Sequence, residues 1–127
     1  MWSFLLLQRM QYSEGLKKSG DFSLVYEKGR SKGNSLLVLY VLPNGRDINR
    51  LGIVVSKKVG NSVVRHRLRR LVRESYRLSE ESFERGYDLV VIARRGAAGC
   101  DYHTINDRFL GLCRSFAILK TETEGPV

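Results

Sequence analysis

The residues of this chain best equipped for chemistry are cationic, and they are crowded together. Residues 57–77, KKVGNSVVRHRLRRLVRESYR, hold two Lys and six Arg against one acid, Glu74. Eight positive charges less one negative give +7, in a chain of 127 residues whose whole formal charge is +9. Charge gathered this tightly points to a polyanionic partner; the alternative, a solvated face, usually mixes signs. Arginine predominates, and a guanidinium grips phosphate with a planar fork and stacks on bases, as an ammonium cannot.

Other chemistries have less to stand on. Cys100 and Cys113 belong to no CxxC or CxxH pair, so they read as free thiols, with a lone disulfide as the alternative. His66 and His103 have no companion ligands at metal spacing. A metal nuclease needs clustered carboxylates, and the thirteen acids are mostly scattered. Glu80, Glu81 and Glu84, which follow the cationic segment, read as solvated. The opening MWSFLLLQRM lacks a basic start and a small-residue cleavage site, so it is not a secretory leader. Met10 is an alternative start. No segment reaches the ~20 apolar residues of a membrane span, so a cytoplasmic protein with no membrane partner is expected.

The cationic segment needs a scaffold. At 43% apolar, the chain can form a folded core, and its length suits one domain over 1–127. Residues 1–15 are expected to be flexible or a misassigned start, and 120–127 a polar tail. Gly60-Asn61 marks a turn, and Asn61 or Ser62 can cap the helix that follows. Val64, Leu68, Leu71, Val72 and Ser75 then recur at helical spacing as a mainly apolar stripe. Beside it Arg65, Arg69, Arg73 and Arg77 form a ridge about 18 Å long, with His66 and Arg70 adjacent. Residues 35–42 (SLLVLYVL), 50–56 (RLGIVVS) and 87–93 (YDLVVIA) read as strands. The turn-rich PNGRDIN between the first two predicts an antiparallel hairpin. Residues 16–29 predict a short helix capped by Ser19, with Asp21 in its first turn and Gly29 ending it in the left-handed conformation. Residues 105–119 predict a last helix, opened by Thr104 with Asp107. The order α-β-β-α-β-α implies an α+β sandwich, one sheet backed by helices.

A second candidate surface is aromatic. Phe22 and Tyr26 share a helix face, and Val38 and Tyr40 share a strand face. They are either core or the lining of a groove that stacks unpaired bases.

The stretch SKKVGNSVVRHRLRRLVRES resembles the protein subunit of bacterial ribonuclease P, whose motif runs roughly S-K-K-x-G-N-A-V-x-R-N-R-x-K-R-x-x-R. Here the matching residues are Ser56, Lys57, Lys58, Gly60, Asn61, Val63, Arg65, Arg67, Arg70 and Arg73, with Arg69 at the motif's Lys. The likeness runs in family order over most of residues 16–115. It implies a fold like the second domain of ribosomal protein S5, with a left-handed β-α-β crossover carrying the arginine helix. It also implies two partners, the catalytic ribonuclease P RNA and precursor tRNA. The RNA would remove the 5′ leader with Mg2+; the protein would hold no cofactor and no small-molecule substrate. By position, Phe22, Tyr26, Val38 and Tyr40 match the family's leader cleft. Lys57, Lys58, Asn61, Arg65, Arg67, Arg69, Arg70 and Arg73 match the motif facing the catalytic RNA. No residue of the protein would be catalytic or bind metal.

Three positions depart from that pattern. His66 stands where the family usually has Asn; imidazole still donates a hydrogen bond, but without the amide's paired donor and acceptor. Near phosphates its charged form is favoured, which would make contacts there pH-dependent. Arg69 keeps the motif's charge and gains fork geometry, and Ser62 replaces a usual Ala. Three other readings are a stand-alone nuclease with His66 as general acid, a structural RNA binder of ribosomal type, and a DNA binder. The last lacks a recognisable helix-turn-helix.

Overall fold

Residues 35–42 and 87–93 are apolar without alternation, the pattern of strands covered on both faces. In the computed structural model, which describes residues 13–120, both run through the middle of a five-stranded sheet. The elements are β1 (Ser13–Gly15), α1 (Ser19–Lys28), β2 (Arg30–Gly33), β3 (Leu37–Pro43), β4 (Asn49–Val54), α2 (Ser62–Leu78), β5 (Tyr87–Ala93) and α3 (Tyr102–Ser115). Single 3-10 turns lie at Glu80–Ser82 and Arg95–Ala97. The long elements follow the expected α-β-β-α-β-α order, with two short strands added. The segment 1–15 expected to be flexible is ordered at its end, where Ser13–Gly15 pair with β4; its residues 1–12 and the tail beyond Lys120 fall outside the described residues.

The sheet order is β1-β4-β5-β3-β2. The expected hairpin of β3 and β4 is therefore wrong: β5 lies between them, antiparallel to β3 and parallel to β4. The hairpin that does form joins β2 to β3. A turn-rich loop reverses the chain but does not oblige the flanking strands to pair, and the doubly apolar β5 gains more burial at the centre. β4, α2 and β5 form a crossover between adjacent parallel strands, and this carries the arginine helix.

The back face of the sheet holds the main core. Leu37, Leu39, Leu89 and Val91 pack there against Leu68, Val72 and Tyr76 of α2 and Ile105, Phe109 and Leu112 of α3. Among the described residues the front face carries α1, and its buried cluster there is Leu16, Val25 and Val90.

Several local expectations need correction. Lys18, not Ser19, is the N-cap of α1, and it makes no side-chain cap bond. Gly29 is extended (φ −78°, ψ 163°) rather than left-handed, because the chain runs straight into β2. Its glycine serves a close approach: a Cβ there would lie 2.5 Å from the Val25 carbonyl oxygen and 3.1 Å from that of Val41. α3 starts a turn early, at Tyr102, with Asp101 accepting from the Thr104 N–H at 2.8 Å. That bond lowers the pKa of Asp101. Glu80 is buried, not solvated; it accepts from Ser13 Oγ at 2.7 Å, and Ser13 also meets the Tyr76 hydroxyl at 2.6 Å. Cys100 and Cys113 are both free, and burial pushes the Cys113 thiol pKa far up.

Candidate nucleic-acid interface

The arginine helix begins as its sequence dictates. Asn61 Oδ1 accepts from the Val64 N–H at 3.0 Å, so the cap is made and the Asn61 amide nitrogen stays available to donate. Gly60 permits the tight entry, since a Cβ there would sit 2.8 Å from Val64 Cγ1. No acid occupies the first turn. The positive end of the helix dipole therefore adds to Lys57 and Lys58, both exposed just before it.

Leu68, Val72, Ser75 and Tyr76 are buried, which fixes one side of α2. At about 100° per residue, Arg69, Arg73, His66 and Arg70 then occupy one arc on the side away from α3. Arg69, Arg70 and Arg73 form no ion pair or hydrogen bond with their side chains among the described residues, and neither do Lys57, Lys58 and His66. Arg65 spends only Nε, on the Gly60 carbonyl at 3.2 Å.

Two members of the sequence-matched set are committed elsewhere. Arg67 faces α3 and donates Nη2 to the Cys100 carbonyl at 2.9 Å. Arg77, the last of the expected ridge, is held by Glu74 through two hydrogen bonds, 2.5 and 3.1 Å, which raise its pKa. The free crest thus ends at Arg73. It also carries an apolar side chain that charge counting passes over: Val63 is 73% exposed beside these arginines.

The aromatic candidates sit on the front face, opposite α2. Strand register sets three rows across β4, β5 and β3: Arg50–Asp88–Leu42, Gly52–Val90–Tyr40, and Val54–Ile92–Val38. α1 meets the first two rows through Asp21 on Arg50, Phe22 on Gly52 and Tyr26 on Tyr40, and the three residues of the third row are each partly exposed. The Phe22 ring presses on Gly52, where a Cβ would come within 2.6 Å of it. Tyr26 meets Tyr40 edge-on, with ring centroids 5.1 Å apart, and lies 6.4 Å from Phe22. Tyr26 is 41% exposed, while Phe22, Val38 and Tyr40 are half-buried. Val25 of α1 is buried, Phe22 and Tyr40 are partly buried against its cluster, and Tyr26 is the more exposed ring. Partial burial, and then the neighbouring Tyr40, raise the Tyr26 pKa, so its phenol stays neutral at physiological pH. Val54 and Ile92, absent from the sequence-based set, lie in one row with Val38 and are partly exposed on the same face. Their alternation with Gly52 and Val90 was visible in the sequence, but the strand pairing that brings them beside Val38 was not.

Among the described residues no three His, Cys, Asp or Glu side chains converge on a common point. No helix among them is long and apolar enough to cross a membrane.

These features define a small basic α+β protein with an arginine-rich helix on one face of its sheet and partly exposed aromatic side chains on the other. The profile described as Ribonuclease P matches residues 10–117. The ribonuclease P protein component of Lachnoclostridium phytofermentans is 50% identical over 109 residues, covering 86% of this chain and 94% of that protein. The RNase P protein of Staphylococcus aureus superposes with a TM-score of 0.78 at 32% identity, over 87% of this chain and 99% of that one. That of Thermotoga maritima gives a TM-score of 0.73 at 36% identity, over 78% and 94%. The chain belongs to the ribonuclease P protein family, the accessory protein component of a ribonucleoprotein endonuclease.

Proposed function

We propose that this protein works in the cytoplasm by binding ribonuclease P RNA along α2 and the single-stranded 5′ leader of precursor tRNA in the cleft under α1. It thereby promotes the cut that leaves the mature tRNA 5′ end. The observation that carries the reading is how the charges are distributed. Arg46, Arg50, Arg77 and Arg85 each pair with a carboxylate, whereas the crest arginines have none among the described residues. Like charges four residues apart repel by roughly a few tenths of a kcal/mol per pair in an isolated helix. Anchoring by the buried stripe tolerates this repulsion, and phosphates relieve it.

The working residues in this proposal are Lys57, Lys58, Asn61, Arg65, His66, Arg69, Arg70 and Arg73 toward the RNA, and Phe22, Tyr26, Val38 and Tyr40 toward the leader. Arg67 acts from the side, holding α2 to the loop before α3. The crest offers hydrogen-bond donors and no carboxylate cluster, so it does not suit Mg2+. The Mg2+ of the reaction belongs to the RNA, and the protein's part is to neutralise phosphates and orient the leader.

Reconstitution tests this directly. Added to a bacterial ribonuclease P RNA at low magnesium, the protein should increase 5′ maturation of precursor tRNA and cleave nothing alone. Cleavage without the RNA, or no stimulation of it, would overturn the reading.

A further inference from the structure

The helix that walls the proposed cleft is lightly packed: Val25 is its one fully buried residue, and Phe22 rests half-buried against Gly52. A charged cluster stands at its N-terminal end. Arg50 of β4 donates Nε and Nη2 to the two carboxylate oxygens of Asp88, at 2.8 and 2.6 Å. Its third arm, Nη1, reaches Asp21 in the first turn of α1 at 3.2 Å. Asn44 adds a donor to Asp88 at 2.9 Å, and the Asp88 side chain is only 3% exposed. These bonds raise the Arg50 pKa, the Asp88 hydrogen bond first. Arg50 lies on the same sheet face and one row from Gly52, against which Phe22 rests.

Resting on the leader reading above, we infer that Arg50 is a positioning residue: with Asp21 and Asp88 it clamps α1 to the sheet and so sets the width of the leader cleft. Both of its carboxylate partners are internal, so Arg50 is unsuited to phosphate even though it is an arginine beside a nucleic-acid cleft. Its planar fork fits the task, since one edge engages Asp88 squarely while the far nitrogen points at α1. The clamp grips one end of the helix. At the other end the chain passes through Gly29 straight into β2, which is paired with β3, so Phe22 and Tyr26 lie between two fixed points.

Removing Arg50 or Asp88 would strand a buried charge and endanger folding. Asp21, with a 29% exposed side chain, can be changed safely. Wild type, Asp21→Ala and Asp21→Glu would each be reconstituted with a bacterial ribonuclease P RNA. Two quantities are measured: the ratio of affinities for leader-bearing precursor and mature tRNA, and amide hydrogen exchange in α1 and α2. Asp21→Ala should lower the ratio about fivefold, the size of a partly buried ion pair, with mature tRNA binding unchanged. It should speed exchange in α1 and not in α2, and Asp21→Glu should restore both. If wild type prefers the precursor and Asp21→Ala keeps that preference, or if α1 exchange is unmoved, the clamp is refuted. If wild type shows no preference for the precursor, the leader reading fails, and the clamp is then judged by α1 exchange alone.

Discussion

α1 and α2 lie on opposite faces of one sheet and solve opposite problems. α2 is sunk deep, with four buried residues along its stripe, and leaves its crest charges unanswered. α1 buries one residue, answers its first-turn charge with Arg50, and leaves aromatic side chains partly in solvent. A charged crest works at a range of about 8–10 Å in ordinary salt and tolerates small shifts. A stacking wall works at contact distance and does not. In the proposed roles, the helix with the loose, long-range interaction can rely on packing alone, whereas the one that must hold a contact geometry is tied to Arg50 at one end and to β2 at the other.

The most damaging test of this contrast removes crest charge. The triple variant Arg65→Ala, Arg69→Ala, Arg73→Ala should weaken binding of ribonuclease P RNA by roughly 10²–10³-fold, as expected for three lost phosphate contacts. Its thermal midpoint should hold or rise, because repulsion within the helix is relieved. A large fall in stability would mean that the crest is structural. Phe22→Ala with Tyr40→Ala probes the other face. Precursor tRNA affinity should drop by about 1–3 kcal/mol, mature tRNA should be spared, and RNA-subunit binding should stay within twofold of about the wild-type value. Equal losses for both tRNAs would argue against a stacking cleft.

Gly52→Ala sharpens the comparison without removing any ligand-facing group. Its new methyl displaces the Phe22 ring, so stability should fall by about 1–2 kcal/mol in a denaturant titration. The preference for precursor should fall with it while the salt dependence of RNA binding stays put. The smallest effect is expected within α2 itself. Arg77→Ala should cost less than about 1 kcal/mol of RNA affinity, since Glu74 already occupies that guanidinium. Arg73→Ala, one turn earlier and unpaired, should cost more. Filter binding of the two single variants side by side decides it, and equal losses would show that Glu74 releases Arg77 on docking.

The same contrast explains what the sequence made legible. The cap, the buried stripe and the crest of α2 could be read, because a period-3.6 pattern, an Asn cap and a run of arginines are all local signals. The burial of Leu68, Val72 and Ser75 follows from that spacing. The sheet order could not be read, since the loop after Pro43 carries turn residues whether or not β3 and β4 pair. β1 and β2, SEG and RSKG, have no apolar pattern and form only because an edge is there to pair with. The diversion of Arg67 to the Cys100 carbonyl depends on a loop 33 residues away. The clamp was hidden for the same reason: Asp21, Arg50 and Asp88 are far apart in sequence and meet only once register and helix position are set. How far each aromatic position is covered depended on the sheet and could not be read from the sequence.

Affinity for ribonuclease P RNA measured against salt tests the central claim most directly. For wild type, log K should fall against log salt with a slope of roughly −3 to −5, as four to six phosphates are neutralised. In the Arg65, Arg69, Arg73 triple variant that slope should shrink by about 2–3. A flat wild-type titration, or an unchanged slope in the variant, would contradict docking through the crest of α2.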